Sequence, residues 1–236
     1  MKNEVELIGY YGDDNTHALS AWTSTSRDLD EGKHTRIGKL LTMLAKDGHH
    51  TPFEKSSIHF LVTTDIASHI QLLKHRIAVS INAESARYKE LQEDKYFLPE
   101  DWGDIRNSKP NLRVDASGEP SASLYNKQTT FNNEKWTSIL RKYTELGNNL
   151  YHQCVADLEP VLGRKRAKES ARFFKTYNSQ ITADVMFNWR SFAHFLNLRN
   201  KPDAQLEIRE IAATMLSQVK SIEGNPFKLT LEAFDL

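Results

Sequence analysis

Only three stretches of this chain read as strands, and they lie far apart. Residues 5–11 (VELIGYY), 57–64 and 181–187 (ITADVMF) are apolar and β-prone. Most of the remaining chain carries helical spacing or turn chemistry. Few strands set against several helices point to an α+β fold with more helix than sheet.

The helical readings follow from spacing and caps. Residues 16–24 read as a short helix capped at Asn15 or Thr16. Over residues 34–47, Ile37, Leu40, Leu41 and Leu44 recur at helical spacing, and Gly48 ends the element. Asp65 is placed to cap a helix over residues 66–76. Residues 136–158 form a long amphipathic helix before Pro160; Leu150, Cys154 and Leu158, four apart, predict its buried face. A basic helical segment spans 164–174. Residues 188–198 follow as a helix with Phe192, Phe195 and Leu196 inward, closed by Pro202. The final helix is expected over 204–219, burying Leu206, Ile211, Met215 and Val219. Residues 103–128, rich in Gly, Pro, Ser and Asn, read as a loop insertion within one domain spanning 1–236.

Composition narrows the function. The 31 basic and 31 acidic residues cancel, which argues against broad nucleic-acid binding and permits a local basic pocket. Cys154 is the only cysteine, so disulfide scaffolds and cysteine-based zinc sites are excluded, and a reducing compartment fits. No apolar run approaches the roughly 18 residues of a membrane span. The opening residues lack a basic segment followed by an apolar one, so secretion is not expected. The expectation is a cytoplasmic protein without membrane partners.

Three polar clusters could carry chemistry. In Gln71-Leu-Leu-Lys74-His75-Arg76, three titratable side chains sit at a helix C-terminus, where cations also complement the helix dipole. Residues 80–88 bring amide, carboxylate, hydroxyl, guanidinium and phenol groups together with little apolar periodicity. There Arg87 offers a planar fork for phosphate, Ser85 could complete the cradle, and the bland alternative is a polar surface turn. The third cluster is Arg172, Arg190, His194 and Arg199. Arg190 and His194 share a helix face, whereas Arg199 falls about 180° from Arg190 at 3.6 residues per turn. Unless the helix ends before Arg199, two ligands or two subunits explain that arrangement better than one ligand. Singly, each of these cations reads more simply as a surface salt-bridge partner. Dinucleotide fingerprints, P-loops and His-Glu-x-x-His signatures are absent, and His49-His50 without a carboxylate set is a weak metal signal, so no metal site is expected.

Taken together, residues 48–54 (GHHTPFE), 71–88 and 188–209 resemble, in order, the motifs of the flavin-dependent thymidylate synthases, the ThyX class. The resemblance covers most of the chain and is weakest over 103–145. The family signature is Arg-His-Arg, seven residues, then Ser. Here Lys74 replaces the first Arg and eight residues separate Arg76 from Ser85, the extra one lying between Arg76 and Asn82. Asn82, Ser85, Arg87 and Tyr88 still match, and the family glutamate falls on Glu84 or is lost to Ala83. Lysine keeps the charge without the bidentate fork, so a local loop adjustment is expected rather than lost activity.

The resemblance implies a small antiparallel or mixed sheet flanked by helices, with a helix-rich C-terminal half. It implies FAD on Ser24, Thr51, Lys74, His75, Arg76, Glu84, Asn188, Arg190 and His194, although His194 stands where many members have Asn. It places dUMP on Gln71, Lys74, Glu84, Ser85, Ala86, Arg87, Arg172 and Arg199, and folate near His49. Methylenetetrahydrofolate would donate the carbon, NADPH would reduce FAD, and the active sites would be shared in a homotetramer. Arg199 is the candidate catalytic residue, stabilising negative charge at the uracil edge. Cys154, read as buried in a helix core, leaves no candidate for a cysteine adding at C6, and Ser85 has no base and orienter to make it a nucleophile. Two rivals stand beside this reading. One is a related enzyme methylating or hydroxymethylating another pyrimidine nucleotide such as dCMP; the other is a noncatalytic nucleic-acid binder using 74–76 and 164–172, against which neutral charge weighs.

Overall fold

The computed structural model describes residues 2–26, 30–85, 88–91, 94–108 and 133–236. In chain order the elements are β1 (Glu4–Tyr11), α1 (Asp14–Trp22), α2 (Glu31–His34), α3 (Ile37–Lys46), β2 (Ser57–Asp65), α4 (Ile66–Leu72), β3 (Val79–Ala83), α5 (Trp136–Leu162), α6 (Arg164–Ala171), β4 (Gln180–Phe187), α7 (Trp189–Arg199), α8 (Leu206–Lys220) and α9 (Lys228–Ala233). They fall into two compact units, one of residues 2–84 and 180–236, the other of residues 85–179. The fold is α+β, with a four-stranded, wholly antiparallel sheet in the order β1-β2-β4-β3.

Period-two alternation sets the sheet register. Ile58, Phe60 and Val62 of β2 lie opposite Phe187, Val185 and Ala183 of β4, and all six are fully buried. The same β4 residues face Val79, Ile81 and Ala83 of β3 on their other side. A one-residue slip would turn every one of these side chains to the other face, which is why the register is strongly specified. Helices cover the apolar face: Leu41 and Leu44 from α3, Phe192, Phe195 and Leu196 from α7, and Ile211, Met215 and Val219 from α8 join one core. Burying each large side chain contributes about 1.5–3 kcal/mol.

β3 corrects, for its first residues, the reading of 80–88 as a polar stretch with little apolar periodicity. Val79, Ile81 and Ala83 pack on the core while Ser80 and Asn82 are exposed, so the segment begins as an edge strand. The cap of α1 also differs from expectation. Asp13, not Asn15 or Thr16, accepts from the Thr16 amide at 2.6 Å, and the Thr16 hydroxyl accepts from the Asp13 amide in return. Asp65 does cap α4, accepting from Ser68 N at 2.8 Å, but the helix stops at Leu72 and leaves residues 74–76 beyond its end.

The last helix is α9, not α8. It was not expected because its cap comes from a remote residue: the Asp14 carboxylate accepts from Leu229 N and Thr230 N, both at 2.8 Å, and from the Thr230 hydroxyl at 2.6 Å. Thr230 and Ser56 also saturate the fully buried His17, whose ring nitrogens lie 2.9 and 2.8 Å from their hydroxyls. Burial holds His17 down at about 4 and raises the Asp14 carboxyl.

The unit of residues 85–179 is built on α5 and α6. α5 runs one turn past its expected end, with Pro160 inside it, and stops at Gly163. Its buried face is Gly147, Tyr151 and Val155, not Leu150, Cys154 and Leu158. Cys154 is half-buried at the edge of that cluster, so the expected core position is corrected by about a quarter turn. Gly147 fixes the register, since a Cβ there would lie 2.5 Å from the Phe174 carbonyl oxygen. Most of the expected 103–128 insertion (109–128) lies outside the described residues.

Candidate active site

A cavity of about 480 Å³ opens in the unit of residues 2–84 and 180–236, within the range of small-ligand sites. Two segments build it: the loop between α4 and β3, and the exposed side of α7. The loop contributes Lys74, His75 and Arg76, and the helix contributes Asn188, Arg190, His194 and Arg199. All seven were expected as ligand-binding residues. Ile77, Val79, Ala193, Leu198 and Phe234 supply apolar surface between the cations.

Local chemistry dictates these placements. The Asn188 side chain caps α7, accepting from Ser191 N at 2.9 Å, so the helix begins at the cavity and aims its positive end there. The Ser191 hydroxyl donates to the Ala78 carbonyl at 2.9 Å and ties the loop to that helix start. Ala78 itself has φ 54°, the left-handed region that a non-glycine residue enters at a cost of about 1–3 kcal/mol. It lies between Arg76 and Asn82, the stretch in which the sequence carries its extra residue.

At the other end of α7, Arg199 turns inward. Its Nε donates to His75 Nε2 at 3.0 Å and its Nη1 donates to the Gln71 side-chain Oε1 at 3.3 Å. Because arginine Nε only donates, His75 Nε2 must accept, which fixes a neutral imidazole protonated at Nδ1. Burial pushes His75 down to about 4, and the Arg199 and His194 charges push the same way. The His194 ring lies 6.3 Å away and Phe195 braces His75 edge-on at 5.0 Å. At the mouth, Arg190 pairs with Glu54 at 2.6 Å.

Arg190 and Arg199 therefore line one cavity although helical spacing sets them on opposite faces, and the helix includes Arg199. Nine residues separate them by about 13 Å along the axis at 1.5 Å per residue. The cavity runs along α7, and Arg199 folds back to His75. Two separate ligand sites are not required by the geometry.

The remaining expected residues are placed elsewhere. Gln71 stands behind Arg199 rather than in the lining. Ser24 is exposed and donates to the Ala21 carbonyl, and Thr51 and His49 are outside the lining, where His50 appears instead. Glu84 ends the β3 ladder: its amide donates to Thr182 O and its carboxylate accepts from Thr182 N at 3.0 Å. Ser85 and Arg172 belong to the other unit. Ala86 and Arg87 lie outside the described residues. His50, Glu54 and Phe234 were missed as lining residues; only the GHHTPFE motif signalled the first two, and nothing local signalled Phe234.

Among the described residues no group of three or more His, Cys, Asp or Glu could hold a metal, and no helix is long and apolar enough to cross a membrane. The lining gathers four cationic side chains, the Glu54 carboxylate, the start of α7 and a neutral imidazole beside apolar surface, a donor set whose chemistry suits an anion.

Comparison with known proteins gives this site its family. Residues 6–223 match the family model described as thymidylate synthase complementing protein (Thy1). The chain is 30% identical over 231 residues to the flavin-dependent thymidylate synthase of Rickettsia bellii, covering 98% of this chain and 75% of the relative. It is 31% identical over the same shares to the one from Rickettsia prowazekii. A UMP/dUMP methylase from Streptomyces cacaoi, solved with 5-Br dUMP, shares the fold at a TM-score of 0.75 and 24% identity, covering 99% of this chain and 95% of that one. The chain belongs to the Thy1 family, the flavin-dependent thymidylate synthases, and is an enzyme of the methyltransferase class.

Proposed function

We propose that this enzyme makes dTMP from dUMP, with methylenetetrahydrofolate as carbon donor, FAD as flavin and NADPH as its reductant. The observation that carries the reading is the cation-lined cavity at the start of α7 in a chain of this family. Its donor set suits FAD. Lys74, Arg76 and Arg190, with the N-terminus of α7, present cations to phosphate, and Ile77, Ala193 and Phe234 present apolar surface to a ring. Bound there, the flavin would supply hydride to the pyrimidine, and His49 would meet folate nearby.

Arg199 is the residue positioned for the nucleotide. Its hydrogen bonds to Gln71 and His75 hold the guanidinium in place, so it can meet negative charge growing at N3 and the adjacent carbonyl of uracil without reorganising. Neutral His75 adds no competing positive charge and cannot protonate the ring near pH 7. The nucleotide phosphate falls to Ser85, Arg87 and Arg172, with residues 1–236 working as one catalytic domain in a homotetramer with shared sites, in a cytoplasmic setting.

The test is spectroscopic. Purified protein should bind FAD, bleach with NADPH, and regain its flavin absorbance when dUMP and methylenetetrahydrofolate are added, with dTMP formed. Failure to take up FAD would remove the reading, whereas turnover only with UMP or dCMP would keep the chemistry and change the substrate.

A further inference from the structure

Three helix ends meet behind Arg199, and their side chains form a line whose far end has no role in the reading above. Gln71 lies in the last turn of α4, Arg199 closes α7, and Gln205 is the N-cap of α8 with Glu207 two residues on. All four belong to the unit of residues 2–84 and 180–236. Arg199 Nη1 donates to Gln71 Oε1 at 3.3 Å, Gln71 Nε2 donates to Gln205 Oε1, and Gln205 Nε2 donates to the Glu207 carboxylate at 2.7 Å. The connection that carries Gln205 is itself tied down. Ala204 N donates to the Lys201 carbonyl and Arg209 Nη1 to the Pro202 carbonyl, both at 3.0 Å.

Local chemistry does not account for a glutamine at this cap. Helix N-caps favour Ser, Thr, Asp and Asn, whose short side chains turn back onto the first amides. The Gln205 side chain makes no such bond and reaches across to α4 instead. The ends of the line then fix its direction. A guanidinium only donates and an ionised carboxylate only accepts, whereas a glutamine amide accepts at its oxygen and donates at its nitrogen. Between Arg199 and Glu207, two amides in series satisfy every contact in one orientation, with both oxygens toward Arg199 and both NH2 groups toward Glu207. Flipping either amide sets oxygen against oxygen or donor against donor.

We infer that Gln205 and Glu207 are positioning residues for Arg199. They hold the Gln71 amide with its oxygen toward the guanidinium, so that Arg199 keeps its place beside His75 before the nucleotide arrives. This rests on the reading that Arg199 meets the uracil. Neither residue is in the cavity lining, and both act through Gln71. Their contribution is to a donor already oriented when charge develops, which costs no reorganisation at that moment.

Rapid-mixing measurement of nucleotide-dependent flavin oxidation in the FAD-loaded enzyme tests this. Glu207→Lys puts a donor where the line needs an acceptor, and should slow oxidation about three- to tenfold, the worth of one hydrogen bond, with FAD affinity unchanged. Gln205→Ala cuts the line and should do the same. Glu207→Gln still offers an oxygen to Gln205 and should stay within about twofold of wild type. Slowing that grades evenly from the Gln to the Lys variant and fades with added salt would make Glu207 a remote charge and overturn the inference. A lower melting temperature with unchanged oxidation would overturn it too, since a carboxylate that only complements the start of α8 gives that result. Added to Arg199→Ala, the lysine change should slow oxidation no further, and additive slowing would overturn the inference. If Arg199→Ala itself leaves nucleotide-dependent oxidation intact, the reading of Arg199 falls and this inference with it. A slow Arg199→Ala beside unaffected Glu207→Lys and Gln205→Ala variants overturns this inference alone.

Discussion

Two histidines of one unit share a charge state and little else. His17 is fully buried on α1 among the rings of Phe53, Trp189 and Phe227, and His75 lines the cavity, yet both are held at about 4 and are neutral near pH 7. His17 has a hydroxyl on each nitrogen and a chain of donors running from Ser56 through Thr230 to Asp14. On paper that is a serine–histidine–carboxylate relay. Its Ser56 is 4% exposed, however, and the relay ends by capping α9, so it is mortar between α1 and α9. His75 is bonded to an arginine on an open cavity, where a ligand can enter. A depressed pKa marks burial in both cases; access to a ligand separates function from packing.

The sharpest way to break that contrast is to remove the partner on each side. Arg199→Ala should slow nucleotide-dependent flavin oxidation by about 10²–10³-fold while FAD binding is retained, the loss typical of one charge-stabilising donor. Rapid-mixing absorbance measures both; equal loss of the two would move Arg199 to the flavin site. His17→Ala should instead cost about 3 kcal/mol of stability, by a cavity and two stranded hydroxyls, and leave the kinetics of the surviving folded enzyme near wild type. Denaturant titration reads the first effect, and a large kinetic effect would place the relay in catalysis.

Acid distinguishes the pair further. For both histidines the folded value lies below the ordinary 6.5, so between pH 6.5 and about 4 the unfolded chain binds more protons than the folded one. Their stabilisation is complete above 6.5 and is lost as pH falls through 4. His17→Gln should therefore flatten stability against pH across this window. His75→Gln should flatten it less, since His75 is only half-buried. An anion bound beside His75 raises its pKa, so FAD binding near pH 5 should take up protons, visible in calorimetry as a heat that depends on the buffer. No uptake would mean that the phosphates lie away from His75.

How much of this was legible in the sequence follows the same divide between local and remote causes. β1, β2, β4 and α7 were readable because their apolar alternation and caps are local; Asp65 and Asn188 sit beside the amides they cap. Lys74, His75, Arg76, Arg190, His194 and Arg199 were readable because they cluster within two short motifs. β3 was obscured because polar Ser80 and Asn82 occupy its outward positions, which masked a genuine period of two. α9 was hidden because its cap, Asp14, lies more than 200 residues away in sequence. The buried face of α5 was misplaced at Cys154 because two of its inward positions carry no apolar signal: Gly147, which packs on the Phe174 carbonyl, and Asn148, which accepts from Lys175. Phe234 could not be read as a cavity residue, since its place depends on His50 and Phe53 packing against it.

The smallest expected effect tests the cavity mouth. Arg190 is half exposed, and its pairing with Glu54 leaves one carboxylate among the cations that would meet phosphate. An exposed pair of this kind contributes only about 0.2–1 kcal/mol to stability, so Glu54→Gln should hardly shift the melting temperature. Its effect on ligand binding has the opposite sign. Removing the negative charge frees Arg190 and deepens the local positive potential, so FAD should bind about two- to fivefold tighter at low salt. The gain should fade as added salt shortens the Debye length below the distance between the charges. If Glu54→Gln weakens FAD instead, the carboxylate orients Arg190 for its ligand, and Glu54 belongs with Gln71 among the residues that hold an arginine in place.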